Sequence, residues 1–318
     1  MGLYLWCLTA GYYFAPKQTF WSKEVALCCV ITASAFIAIP FSFFFEARNP
    51  AATGLLAMLT LLLMPLLFIR NVERIFYALI PGWFLQASVM AWQWFVEGVY
   101  RAGGIAENEN AGSAFLLLGA LFLIQDKRLK WLSVPLLVAI PFSGSRWVLV
   151  VGCMIFGLIF LSKHVRWRWI AVGIAISTMV LVAAQHDRLA IAYRLHSSVH
   201  QDVTHRANAR DAEFSFWKIW IPRGFHDTNL HSLPIRMADE TGLLSALAWI
   251  GVGAICLWRK PRMTWQWWGL AAVCLLSVMY YFIWIGPLGA LWWLYVAELR
   301  GTGVPEAKER PLESNRRG

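Results

Sequence analysis

The sequence has few charged side chains for its length. Only 14% of its 318 residues are Asp, Glu, Lys or Arg, whereas 59% are hydrophobic. A soluble domain ordinarily carries about 25% charged residues, so the composition excludes an ordinary soluble globular protein. The hydrophobic residues also fall into blocks, several of which reach the roughly 20 residues that a helix needs to cross hydrocarbon. The sequence therefore predicts an all-α polytopic membrane protein.

Several familiar chemical signatures are also absent. Cysteine is scarce, and all six cysteines lie inside apolar blocks, so neither a disulfide framework nor a thiolate metal site is predicted. The sequence contains no His-Glu-x-x-His, Gly-x-Ser-x-Gly or Walker-type phosphate motif, which argues against a zinc protease, a serine hydrolase and a P-loop enzyme. The N-terminus lacks a basic start and a small-residue cleavage site, so no cleaved signal peptide is predicted. No metal or other cofactor is expected.

Eleven apolar blocks are candidate membrane segments, and they predict about 10–12 transmembrane helices. The block 131–142 would rise only about 18 Å as a helix, against a hydrocarbon core of about 30 Å. It also contains Pro135 and Pro141, which predicts a kinked or partly inserted segment. The blocks lie at about 1–15, 25–45, 51–69, 75–96, 111–124, 131–142, 147–161, 169–184, 241–258, 265–285 and 287–298.

The net charge of +10 comes from short basic clusters between the apolar blocks. Such clusters are typical of cytoplasmic loops, and no basic stripe on a soluble face indicates a nucleic-acid partner. The opposite, outward face then carries the loops 97–110, 143–146 and 185–240. The predicted organisation is N-terminal transmembrane helices (1–184), an outward loop with short helices (185–240), C-terminal transmembrane helices (241–299) and a disordered cytoplasmic tail (300–318). The clusters are Arg70–Arg74, Asp126–Lys130, Lys163–Arg168 and Arg259–Arg262.

The outward loop 185–240 holds most of the residues that could carry chemistry. Six of the seven histidines lie in it, together with six arginines. Arginine binds phosphate oxygens through forked, charge-assisted hydrogen bonds. Histidine, with a reference pKa of about 6.5, can accept a proton from a hydroxyl near neutral pH. This combination suits a lipid-diphosphate leaving group and an attacking sugar hydroxyl.

The order of several motifs along the chain resembles one family of membrane enzymes. Ser145 and Arg146 begin an apolar block, and GGIAENENAGSAFLLLGALF leads into an earlier one. The outward loop ends with an Arg, a Trp, a Gly, a His and Glu-x-Gly, at Arg210, Trp217, Gly224, His231, Glu240 and Gly242. Over about residues 100–260 the chain thus resembles the O-antigen ligase / O-antigen polymerase superfamily of bacterial membrane glycosyltransferases. Ser232 stands where that family has Asn, and Pro234 where it has an aromatic or aliphatic residue.

The resemblance implies roles for individual residues. Arg146 and Arg210 would bind the diphosphate of an undecaprenyl-diphosphate-linked glycan, and His231 would activate or orient the acceptor hydroxyl. Glu240 would orient His231 or cap the next helix. Electrostatic stabilisation of the leaving diphosphate would supply much of the rate without a metal. The residues expected to bind substrate are Arg206, Arg223, Asn108, Asn110 and Glu240.

The function implied is glycan transfer on the periplasmic face of the bacterial inner membrane, within membrane lipids. The acceptor would be lipid A–core, as in a ligase of lipopolysaccharide biosynthesis, or a growing polysaccharide, as in a polymerase. A transporter or flippase of polyprenyl-linked sugars is an alternative from another class, although the apolar blocks contain almost none of the ionisable side chains that transporters usually need at membrane depth. A catalytically silent relative that only binds lipid diphosphates is a third.

Overall fold

The computed structural model describes residues 22–44, 50–69, 72–106, 108–161, 222–224, 232–259, 264–278 and 287–301. All regular structure within these ranges is helical. Counted in chain order among the described residues, the α-helices are α1 (Lys23–Phe44), α2 (Pro50–Leu63), α3 (Val72–Phe95), α4 (Glu109–Leu123), α5 (Ser133–Ala139), α6 (Arg146–Leu161), α7 (Leu233–Thr241), α8 (Leu243–Arg259), α9 (Trp265–Ser277) and α10 (Pro287–Gly301).

Three of these helices are long and apolar enough to cross a membrane. They are α1, α3, and α2 together with the 3₁₀ turn Met64–Phe68 that extends it. Their bounds agree with the predicted blocks 25–45, 51–69 and 75–96. The expected all-helical fold is thus confirmed within the described residues, and these three helices are candidate membrane spans. Large hydrophobic side chains such as Leu61 and Leu85 are exposed on their outer surfaces, as expected of helices that contact lipid. The predicted blocks 1–15 and 169–184 lie outside the described residues.

The segment 130–143 is broken, as its two prolines predict. Only Ser133–Ala139 forms an α-helix, and 3₁₀ turns lie on either side of it, at Lys130–Leu132 and Ile140–Ser143. Pro141 stands in the second turn, where its missing N–H and fixed φ end the α-helical hydrogen bonding. The chain is thereby free to turn into α6 at Arg146.

The core of the described bundle lies around α4, which is buried along most of its length. An aromatic cluster packs beside its C-terminal half. Phe122 of α4 lies 4.9 Å from Trp265 of α9, measured between ring centroids, and Phe76 of α3 lies 4.7 Å from Trp265. Tyr295 of α10 contacts Phe76 at 5.0 Å. These large rings, of which Trp265 is partly buried and the others are buried, join four helices and fix how α3, α4, α9 and α10 pack together.

The turn before Arg146 lies at one end of the bundle, which we call the Arg146 end. The indole nitrogen of Trp147, in the first turn of α6, donates to the carbonyl of Leu275 near the end of α9 at 3.1 Å. Phe142 stacks on Trp94, near the end of α3, at 5.0 Å between centroids. The first turn of α6 therefore lies beside the last turns of α3 and α9.

The opposite end is called the Asp126 end, after the turn that follows α4. Asp126 accepts hydrogen bonds from the Arg128 backbone N–H and the Tyr77 hydroxyl, each at 2.8 Å. These two bonds, the backbone bond first, hold the pKa of the Asp126 carboxyl below its usual value. Trp267, at the start of α9, donates to the carbonyl of Leu257 near the end of α8 at 2.9 Å. Helices α8 and α9 are therefore antiparallel, and α8 begins at the Arg146 end.

Candidate functional site

Arg146 begins α6 after a tight turn. The Ser143 hydroxyl donates to the Ile140 carbonyl at 2.7 Å and accepts from the Ser145 N–H at 3.1 Å. Gly144 adopts a left-handed conformation with φ +64°, which glycine accepts without a Cβ penalty. Ser143 and Ser145 are buried. The serines therefore build the turn, as the sequence indicated.

The Arg146 side chain is half-buried. Its Nε atom is fully buried and has no hydrogen-bond partner in the part of the chain that the structure describes. A buried guanidinium N–H that lacks an acceptor is costly. It also lies within the first turn of a helix, where backbone N–H groups favour negative charge. Arg146 therefore has the donor capacity to bind an anion at this end of the bundle.

Two ion pairs lie at the end of α7. Arg236 Nε and Glu240 Oε1 are 2.6 Å apart, and the two side chains are only 4% and 2% exposed. Arg223 Nη1 lies 3.5 Å from Asp239 Oδ1, with side-chain exposures of 11% and 7%. The guanidinium of Arg223 and the carboxylate of Glu240, both expected to bind substrate, thus each contact a charged side chain of the protein itself.

The segment 222–224 is bound to the same helix end through its backbone. The N–H groups of Arg223 and Gly224 donate to the carbonyls of Asp239 and Glu240 at 3.2 and 2.9 Å. Gly224 has φ +82°, and a Cβ on it would overlap Ser42 and lie 2.7 Å from the Thr53 hydroxyl oxygen. Only glycine fits this slot between the end of α1 and the start of α2. The ion pairs, α7 and the ends of α1 and α2 therefore form one unit.

A third polar group lies between α3 and α4, where two glutamines hold the turn that precedes α4. Gln86 donates through Nε2 to the Gly103 carbonyl at 2.8 Å. Its Oε1 accepts from the N–H groups of Ile105 and Ala106 at 2.9 and 3.3 Å. Gln93, two helical turns further along α3, accepts from the Gly104 N–H at 2.7 Å. The side chains of α3 thereby bind four consecutive residues of irregular backbone.

Glycine is required on both sides of Gln86. A Cβ on Gly104 or on Gly112 would overlap the Gln86 Nε2 atom, and Gly104 also has φ +64°. Gln86 is itself only 3% exposed. A buried amide whose hydrogen bonds are all made holds its neighbours in place, because any other arrangement would leave a buried polar group without a partner. The glycine-rich approach to α4 is therefore explained by the packing of Gln86.

Asn108 and Asn110, both predicted to bind substrate, lie at the start of α4. The Asn108 side-chain oxygen accepts from the N–H groups of Asn110 and Ala111, each at 3.0 Å. This is the usual bonding of an N-cap residue, so it gives Asn108 a structural role. Asn108 is exposed and Asn110 is half-buried. Glu109, which lies between them, pairs with Arg101 across the turn.

The structure brings five of the predicted residues to the Arg146 end. Arg146 begins α6, and the two asparagines lie at the start of α4. The other two residues lie in the ion pairs at the end of α7. Whether they line one shared cavity stays a prediction. The five are Arg146, Asn108, Asn110, Arg223 and Glu240. The other three, His231, Arg210 and Arg206, lie outside the described residues.

The polar residues of this end that were not predicted from the sequence include Arg236, Asp239 and Gln86. A signal existed for the first, because Arg236 and Glu240 are four residues apart and such a spacing pairs charges on a helix. A helix from Pro234 to Gly242 is also indicated by proline at its start and glycine at its end. Asp239 and Gln86 gave no such signal, since their partners are distant in sequence or are backbone groups.

Within the described residues, no group of three or more His, Cys, Asp or Glu side chains could hold a metal ion. The fold defines a class: within its described ranges the protein is all-helical, with three helices long and apolar enough to span a membrane. Comparison of the chain with protein-family models, with curated proteins and with solved structures finds no match.

Proposed function

We propose that the protein is a multi-pass glycosyltransferase of the bacterial inner membrane. It transfers a glycan from undecaprenyl diphosphate to an acceptor hydroxyl at the periplasmic face. The observation that carries the proposal is the Arg146 guanidinium, whose Nε is buried without a partner among the described residues, at the bundle end where the loop of histidines and arginines returns to the membrane. A desolvated guanidinium at a helix start is suited to a diphosphate.

The proposed reaction follows from the chemistry of these groups. The acceptor oxygen attacks the anomeric carbon of the glycan, while the bond between that carbon and the diphosphate oxygen breaks. His231 takes the acceptor proton, and Arg146 and Arg210 stabilise the charge that develops on the leaving undecaprenyl diphosphate. Stabilisation by fixed cations requires no metal. Arg206, Asn108 and Asn110 are proposed to contact the substrate.

The ion pairs of α7 refine the proposed roles of Arg223 and Glu240. Arg223 lies against Asp239 and Glu240 against Arg236, so each acts on substrate indirectly. We propose that they hold the segments on either side of residues 225–231 at the Arg146 end. Because His231 directly precedes Ser232 and α7, this anchoring would contribute to the position of the imidazole.

The proposed topology has about 10–12 transmembrane helices, with the Arg146 end facing the periplasm and the Asp126 end facing the cytoplasm. The basic residues Lys127, Arg128 and Lys130 beside Asp126 support this orientation, since cytoplasmic loops carry excess positive charge. Lipid A–core is the proposed acceptor, and a growing polysaccharide is the alternative acceptor in a polymerase. A flippase of the same lipid-linked sugars would translocate the donor without forming a new glycosidic bond.

An assay with purified protein tests this proposal. The protein is incubated with lipid-linked glycan, acceptor lipid and a metal chelator, and the new glycosidic linkage is quantified. Arg146→Ala is expected to lower the rate about 100-fold, the effect of losing one donor to the transition-state charge. His231→Ala removes the proposed base and is therefore expected to lower the rate of transfer as well. Arg128→Ala, an exposed arginine at the Asp126 end, is the matched control and should retain the parental rate.

Three outcomes would contradict the proposal. Full activity of both the Arg146→Ala and the His231→Ala variants would show that neither side chain acts in transfer. Movement of the donor across a vesicle membrane without glycan transfer would identify a flippase. Donor binding by the unaltered protein without turnover under these conditions would identify a silent binding protein.

A further inference from the structure

The turn at residues 101–106 lies deep beside α3. Phe95, the last residue of α3, is nine positions after Gln86, which corresponds to about 13 Å along a helix axis. The chain reaches the end of α3 and then returns to a level between Gln93 and Gln86, because Gly104 is hydrogen-bonded to Gln93 and its neighbours Gly103, Ile105 and Ala106 to Gln86. Since α3 is itself long enough to span a membrane, the turn is irregular backbone within the thickness that α3 would cross.

Irregular backbone at such depth is tolerated only where its polar groups are satisfied. Here the N–H groups of Gly104, Ile105 and Ala106 and the carbonyl of Gly103 bond to Gln93 and Gln86. The Ala102 N–H donates to the Phe142 carbonyl at 3.1 Å. The inner side of the turn is therefore closed by protein.

The outer side of the turn is exposed and has polar and charged side chains beside it. Ile105 is 54% exposed, and Ala106 and Asn108 are exposed as well. The Arg101–Glu109 ion pair beside them is 37% and 21% exposed. Charged groups at membrane depth almost always face a bundle interior or a water-filled cavity, because contact with acyl chains is expensive. The exposed side of this turn is therefore expected to face water.

We infer that residues 101–106, 108 and 109 form an irregular turn that is the floor of a water-filled hollow open at the Arg146 end, and that the hollow takes the hydroxyl-rich glycan of the substrate. The glycan assignment rests on the proposed function, whereas the hollow does not. The guanidinium of Arg101, the carboxylate of Glu109 and the amide of Asn110 combine donors and acceptors, as sugar hydroxyls require. Gln86 is the positioning residue that holds the turn.

Cysteine labelling tests the hollow without any turnover. In a cysteine-free version of the full chain, Ile105→Cys is compared with Leu85→Cys. Leu85 is adjacent to Gln86 in α3 and therefore lies at about the same depth. Its side chain is 57% exposed and is expected to face lipid. A membrane-impermeant maleimide, which reacts with thiolate in water, is expected to label Ile105→Cys about tenfold faster than Leu85→Cys. Equal rates would overturn the hollow.

Lipid-linked glycan added before the maleimide tests the assignment of the ligand. Labelling of Ile105→Cys is expected to slow at least about threefold when the glycan fills the hollow, and bare undecaprenyl diphosphate is expected to leave the rate unchanged. Equal rates with and without glycan would overturn the glycan assignment. Protection in a protein that transfers no glycan would uphold the site and contradict the proposed function. Glycan transfer combined with equal labelling of Ile105→Cys and Leu85→Cys would support the proposed function and contradict the hollow.

Variants of Gln86 test its positioning role. Gln86→Leu removes every hydrogen bond that the side chain of residue 86 makes to the turn. Gln86→Glu keeps the oxygen that accepts from Ile105 and Ala106 and loses only the N–H donor to the Gly103 carbonyl. In the Ile105→Cys background, protection by glycan is expected to be lost with Gln86→Leu and restored with Gln86→Glu. In the transfer assay, Gln86→Leu is expected to raise KM for the donor more than it lowers kcat. Equal protection in both variants would contradict the role, and the Gln86→Glu variant keeps the test valid if Gln86→Leu fails to fold.

Discussion

Replacing Glu240 with leucine is expected to lower the free energy of unfolding by about 3–5 kcal/mol. The change leaves the Arg236 guanidinium, whose side chain is only 4% exposed, buried without this carboxylate. Water cannot compensate fully at such a site, so the cost of the buried charge appears in the stability. Denaturant unfolding of the purified protein in detergent micelles, followed by circular dichroism, measures the difference.

A double-mutant cycle separates this ion pair from simple loss of packing. Arg236→Met combined with Glu240→Leu is expected to cost less than the sum of the two single changes by at least about 2 kcal/mol, because the double variant removes both charges of the pair together. The partly exposed Glu109, paired with Arg101, supplies the control: Glu109→Gln is expected to cost at most about 1 kcal/mol. Additive effects of the two α7 substitutions would contradict the importance of the pair.

Replacing Gly112 with alanine is expected to lower the free energy of unfolding by about 1–3 kcal/mol through overpacking, plus the cost of any hydrogen bond that Gln86 loses. A Cβ at this position overlaps the Gln86 Nε2 atom and comes 2.5 Å from the Gly103 carbonyl oxygen. Neither neighbour can move aside easily, because one is a backbone oxygen and the other is the Gln86 amide that is hydrogen-bonded to it. The same unfolding measurement applies, and maleimide labelling at Ile105→Cys would report displacement of the turn.

Gly82 provides the matched control for this change. It also lies in a helix, but a Cβ on it would meet nothing within 4 Å. Gly82→Ala is therefore expected to be neutral or to stabilise the helix by up to about 1 kcal/mol, as alanine has the higher helix propensity. Equal losses of unfolding free energy for Gly112→Ala and Gly82→Ala would show that Gln86 is not packed between Gly104 and Gly112.

The apolar helices could be predicted from sequence because the bilayer imposes one dominant requirement, a run of hydrophobic residues of sufficient length. The blocks 25–45, 51–69 and 75–96 correspond to α1, α2 with its 3₁₀ extension, and α3. The break within 131–142 was also predictable, because proline removes a backbone donor wherever it stands. These are local properties, which the order of residues alone determines.

The polar contacts were less predictable because they depend on which helices become neighbours. Gln86 lies in the middle of an apolar block and reads as a single polar residue there. Its function as the anchor of residues 103–106 follows only from the packing of α4 against α3. Arg223 and Asp239 are similarly distant in sequence, so composition favoured a free guanidinium where the structure has an ion pair.

The proposed enzyme depends on segments that are distant in sequence meeting at one face of the membrane. The turn before α6, the start of α4 and the end of α7 all lie at the Arg146 end, so five of the predicted residues share one end of the described bundle. Arg146 is the one among them whose guanidinium nitrogen Nε is buried without a partner in the described chain. It is therefore the side chain through which the bundle could hold a diphosphate next to the outward loop.

The sidedness of the two bundle ends tests this requirement most directly. In the cysteine-free chain, Tyr100→Cys is an exposed position at the Arg146 end and Lys127→Cys an exposed position at the Asp126 end. An impermeant maleimide added to intact bacterial spheroplasts is expected to label Tyr100→Cys, and to label Lys127→Cys only after the membrane is permeabilised. Labelling of both positions from the same side, or of Lys127→Cys alone in intact spheroplasts, would contradict an active site at the periplasmic face.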